Sequence, residues 1–69
     1  MTRYTVEVFT TKTLANDKIR YYKVICGVPR RISKADFDKL DRESDGLDCL
    51  HTVNTKTHCK QYKTLSFYM

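Results

Sequence analysis

Hydrophobic and polar positions alternate cleanly from Arg3 to Thr11: Tyr4, Val6 and Val8 share one parity, Thr5 and Glu7 the other. A period of two predicts a half-buried strand, with Phe9 on its otherwise polar side. Lys12–Asp17 is polar and ends in Asn16-Asp17, a turn signal, so a hairpin loop is expected there. Lys18–Cys26 is dense in β-formers (Ile19, Tyr21, Tyr22, Val24, Ile25) and reads as a second strand. Both of its faces carry large side chains, so the pattern leaves its inward face open. Gly27-Val28-Pro29 is expected to end that strand, because glycine permits unusual φ and proline removes a ladder donor.

The period then changes. Ser33 is a good helix N-cap, and Asp36 three residues on approximates a capping box, with Asp in place of the usual Glu or Gln. Ile32 and Phe37 have the spacing of a hydrophobic staple across that cap. Phe37, Leu40, Ser44 and Leu47 follow at helical intervals, a narrow stripe that Gly46 is expected to end. Such a stripe suits one helix lying across one face of a sheet. Asp48–Val53 reads as a third strand, Asn54-Thr55-Lys56 as a turn, and Thr57–Tyr68 as a long fourth strand. The expected fold is α+β: ββαββ, a mainly antiparallel sheet with one covering helix.

Sixty-nine residues make a single small domain, residues 1–69, with no room for a second core. Val, Leu, Ile and Phe number sixteen, just above the roughly 20% below which charged chains tend to stay disordered. A fold is expected, with a thin core that gains from a partner or from self-association through an edge strand. Cys26, Cys49 and Cys59 are an odd number, unlike the disulfide framework of a small secreted domain. No apolar run approaches a membrane span and the N-terminus lacks a signal-peptide core, so no membrane partner is expected and the expected setting is cytoplasmic.

Charge is sorted along the chain. Of eight acidic residues, Asp36, Asp38, Asp41, Glu43, Asp45 and Asp48 lie within Ser33–Asp48, whereas ten of thirteen basic residues lie outside it. Placed on the expected fold, this becomes an acidic helix layer over a sheet whose open side is basic and tyrosine-bearing. Such a field steers partners rather than builds folds.

Candidate chemistry is sparse. Cys26, Cys49, His51 and Cys59 are soft ligands that could hold zinc, with His58 beside them. The idea depends on hairpin register. A three-residue turn puts His51 opposite Cys59 with Cys49 on the same face, whereas a two- or four-residue turn flips the parity and removes Cys59. No Cys-x₂-Cys or His-x₃-His pair is present. Three packed thiols and two surface imidazoles are the plainer alternative. Catalysis finds no convergent nucleophile, base and oxyanion site, and the two glycines form no phosphate loop. The expectation is a non-enzyme without cofactors.

The basic surface carries more. Arg20 and Lys23 lie in strand two, Arg30, Arg31 and Lys34 at the helix entrance, and Lys60 and Lys63 in the last strand, with Tyr21, Tyr22 and Tyr62 among them. Basic sheets with exposed aromatics grip nucleic acid, and Tyr and Arg are also enriched at protein interface hot spots. The expected contact set is Arg20, Tyr21, Lys23, Arg30, Arg31, Lys34, Lys60, Tyr62 and Lys63. The acidic helix face at Asp38, Asp41 and Asp45 is the second choice. Lysines that merely keep strand edges soluble are the alternative explanation.

Gly27-Val28-Pro29-Arg30-Arg31-Ile32-Ser33-Lys34-Ala35-Asp36-Phe37-Asp38 resembles a segment of short bacteriophage-encoded accessory proteins, in which a strand passes through a Gly/Pro turn into an Ile-Ser-Lys-x-x-Phe helix start. The resemblance covers about a sixth of the chain and carries no functional residue. It implies a small protein that binds and modulates or inhibits a host macromolecular complex in the host cytoplasm. The functional expectation is therefore such a binding protein, with a protein or protein–nucleic acid complex as partner. Direct nucleic acid binding is the alternative, and a zinc-stabilised structural module the third.

Overall fold

A computed structural model describes residues 2–68. Five strands and one helix follow in the order β1 (Arg3–Thr13), β2 (Lys18–Ile25), β3 (Val28–Ile32), α1 (Lys34–Glu43), β4 (Gly46–Asn54) and β5 (His58–Tyr68). The strands form a single antiparallel sheet in the order β3-β2-β1-β5-β4. The α+β, four-stranded ββαββ expectation is overturned: the chain is mostly one five-stranded antiparallel sheet with one short helix.

The correction lies at Cys26-Gly27. Ile25 pairs with Val28, so these two residues form a two-residue hairpin turn, and both have positive φ (51° and 77°). That is the primed geometry whose twist matches a hairpin. Pro29 does not end the sheet because β3 is an edge strand, where a missing donor costs no ladder bond. Gly46, expected to stop the helix, instead opens β4.

The helix start forms as the local chemistry dictates. Ser33 Oγ accepts from the Asp36 N–H at 3.1 Å, and Arg42 sits in the last turn, where a cation complements the helix dipole. The helix ends at Ser44, whose N–H donates to the Leu40 carbonyl at 3.0 Å. Leu47, placed by the helical stripe on the helix, lies in β4 and is exposed.

The core sits between α1 and the two central strands. Val8 and Leu65 are 1% exposed, and Phe37 and Phe67 close over them, with Val6, Tyr21, Ile32 and Leu40 at the margin. Tyr4 stacks on Phe67 with centroids 5.2 Å apart. Four buried apolar side chains among the described residues make a small core, and the helix leaves much of β4 uncovered: Leu47 and Leu50 remain about half exposed. No helix among the described residues is long and apolar enough to cross a membrane.

Candidate functional site: an aromatic row on the open sheet face

Register fixes which side chains share a face, because cross-strand partners point the same way. Val8 pairs with Lys23 on one side and Lys63 on the other, so both lysines share the helix-covered face. Phe9 pairs with Tyr22 and with Tyr62; Tyr22 pairs in turn with Arg31, and Tyr62 with His51. One transverse row therefore crosses all five strands on the face away from the helix: Arg31, Tyr22, Phe9, Tyr62, His51.

The row is packed within itself. Phe9 and Tyr22 have centroids 4.7 Å apart and planes 10° from parallel. Phe9 and Tyr62 are 5.1 Å apart at 33°, and Tyr62 and His51 are 6.4 Å apart at 37°. Phe9 and Tyr22 are close and nearly parallel and stack, whereas Tyr62 is tilted against Phe9 and against His51. Phe9 is thus stacked by Tyr22, flanked on its other side by the tilted Tyr62 ring, and half-buried.

The neighbouring rows differ in charge. Toward the β1–β2 turn, Thr11 is flanked by Arg20 and Lys60. Toward the other end, Glu7 is flanked by Val24 and Thr64, with Cys49 beyond Thr64 on β4. A shallow depression of about 390 Å³ lies on the β4 side, lined by Glu7, Cys49, His51, Val53, Tyr62 and Thr64.

The expected contact set is split by this geometry. Arg20, Arg31, Lys60 and Tyr62 come together on the open face, whereas Tyr21, Lys23, Arg30 and Lys63 lie on the helix-covered face. Tyr21 packs on Phe37 with centroids 5.0 Å apart, and the Lys63 ammonium sits 5.8 Å from the Phe37 ring centre and 3.9 Å from Asp41. Lys34 is the first residue of α1 and exposed. The basic side chains are thus divided between the two faces rather than gathered on the open one.

On the second-choice face, Asp41 pairs with Lys63, and the Asp45 carboxylate accepts the Tyr68 N–H at 2.7 Å. Asp38 is exposed. Phe9, Tyr22 and His51 were absent from the expected set. The signal was present for Phe9, an aromatic at polar parity in an otherwise regular strand.

No protein-family model, no curated protein and no solved structure matches this chain. The site therefore rests on its own geometry.

The zinc arrangement does not assemble within one chain. Asn54 pairs with Cys59 and His51 with Tyr62, so the hairpin has the parity that takes Cys59 to the face opposite Cys49 and His51. Cys26 lies in the β2–β3 turn at the far side of the sheet. Among the described residues no group of three or more His, Cys, Asp or Glu side chains is placed to hold a metal ion.

Proposed function

We propose that this protein is a non-enzymatic binding protein that docks a protein surface through its open sheet face, as the resemblance of Gly27–Asp38 to phage accessory proteins implies. The observation that carries this is the Phe9 ring packed between Tyr22 and Tyr62. A base-stacking platform presents free ring faces, whereas here Phe9 is stacked by Tyr22 and flanked by the tilted Tyr62, so the rings form one contiguous aromatic ridge. Such a ridge suits an apolar groove, with Tyr hydroxyls and Arg31 as polar contacts. Arg20 and Lys60 on one side of the row, Arg31 at its β3 end and Glu7 on the other side orient the docking and favour an acidic rim on the partner.

Direct nucleic acid binding is the second reading, favoured by the same three cations beside Tyr22 and Tyr62. A pull-down from bacterial lysate, with and without nuclease, separates the two when run with the wild type and with Tyr22→Ser/Tyr62→Ser. The expected result is a stoichiometric protein complex that survives nuclease and is lost in the double variant. Loss of the complex on nuclease treatment, with oligonucleotide affinity that falls steeply with salt, would overturn the protein reading.

A further inference from the structure

The two edges of the sheet are built differently. β3 is five residues long and carries Pro29, Arg30 and Arg31, the devices that blunt an edge against pairing. β4 is nine residues long with Asp48 as its one formally charged residue, and Arg3 already pairs with that carboxylate. In a chain of net charge +5, this is the edge a second copy approaches without meeting a lysine or arginine on the strand itself. Leu47 and Leu50 stand about half exposed along it.

The hydrogen-bond phase of this edge is fixed. The Thr55 N–H donates to the His58 carbonyl at 2.8 Å, which makes Asn54 and Cys59 a non-hydrogen-bonded pair. Counting back along β4, Val53, His51 and Cys49 direct their main-chain groups at β5. Leu50, Thr52 and Asn54 direct theirs outward from the sheet. The register shift between Leu47 and Cys49 lies at one end and leaves Cys49–Asn54 regular.

We propose that β4 pairs antiparallel with β4 of a second copy about a two-fold axis at Leu50, and that Cys49 and His51 of both copies then form a four-ligand site for a zinc-class divalent ion. Centring on Leu50 sets the regular stretch Cys49–His51 of the two copies against one another, while Thr52–Asn54 of each copy face the stretch of the other that carries the register shift. Each Leu50 exchanges main-chain hydrogen bonds with the other. Cys49 then faces His51 of the second copy in a non-hydrogen-bonded pair, the closer kind, with Cβ atoms about 4.5–5.5 Å apart. The axis is perpendicular to the sheet, so both such pairs share the open face. Two thiolates and two imidazoles at that spacing match a closed tetrahedral zinc site. A register centred on His51 sets Cys49 opposite Val53 and forms no such set. Each bound Cys49 releases its thiol proton to solvent. The site takes His51 from the β4 end of the aromatic row, and zinc-linked dimerisation reads it without any docked partner.

The test uses the full chain in sedimentation equilibrium with zinc chloride or with chelator, alongside cobalt(II) absorption. A dimer tightened at least tenfold by zinc, saturating at one ion per two chains, is the expected result. The cobalt form should show thiolate charge-transfer bands and the strong d–d bands of a tetrahedral site. Cys49→Ser should abolish the zinc effect, and Thr52→Pro should abolish the dimer. Both positions are exposed on an edge strand, and circular dichroism confirms that each variant folds. A monomer under all conditions overturns the proposal. One ion per single chain, or a dimer indifferent to chelator, overturns the shared site.

Discussion

Phe9 lies face to face with Tyr22, ring centroids 4.7 Å apart and planes 10° from parallel, on the side of the sheet that the helix does not cover. A stacked pair on a solvent-facing surface contributes to stability without belonging to the core. Phe9→Ala is expected to cost about 1–3 kcal/mol, combining lost apolar burial with lost ring–ring contact. A double-mutant cycle with Tyr22→Ala should give a coupling of about 0.5–1.5 kcal/mol, read from urea denaturation. A coupling near zero would show that the two rings do not support each other.

Among the described residues, Leu65 and Val8 are the side chains shielded almost wholly from solvent. Leu65→Ala should cost about 2–5 kcal/mol, against the roughly 3–5 kcal/mol that one core supplies in a domain this small. The variant is expected to be largely unfolded at 25 °C, with loss of the far-ultraviolet dichroism of the sheet. Leu50→Ala, on the uncovered edge strand, should change monomer stability by no more than about 0.5 kcal/mol. Comparable losses at both positions would mean that β4 is packed rather than exposed.

The alternation of Tyr4, Val6 and Val8 and the Ser33 cap were legible because each is a local pattern with one physical solution. The inward face of β2 was not, because Ile19, Tyr21, Lys23 and Tyr22, Val24 offer large side chains on both parities. Only the register against β1 decides it, sending Tyr21 to Phe37 and Tyr22 to Phe9. That register follows from the length of the turn between Thr13 and Lys18, which composition does not fix. The contact set was split for the same reason, since Arg30 and Arg31 are adjacent in sequence and opposite in facing.

At the helix start, Ser33 Oγ accepts the Asp36 N–H, and the staple residues Ile32 and Phe37 both pack at the core. Ser33→Ala is expected to cost about 1 kcal/mol. Because Phe37 is one of four buried apolar side chains among the described residues, fraying of this turn should spread to the sheet. Amide hydrogen exchange checks this: protection should fall in β1 and β5 as well as in α1. Loss confined to α1 would mean that the helix is a detachable cover.

The third strand exists because Cys26 and Gly27 adopt positive φ, 51° and 77°, between paired Ile25 and Val28. A side chain at Gly27 meets no atom within 4 Å, so any cost of adding one there is conformational rather than steric. Gly27→Ala should therefore destabilise by about 1–2 kcal/mol, the usual cost of left-handed backbone for an L-residue. Cys26→Asn should act in the opposite direction, with a gain of up to about 1 kcal/mol, because asparagine enters that region readily and Asn-Gly is the preferred pair for this turn. Thermal melts of the two variants measure both signs together. Were Cys26 and Gly27 in ordinary extended or right-handed backbone, both substitutions would stay within about 0.5 kcal/mol of wild type, as surface changes do. Opposite signs are expected where both residues hold left-handed backbone, so the pair tests the turn that seats the strand Pro29 concealed.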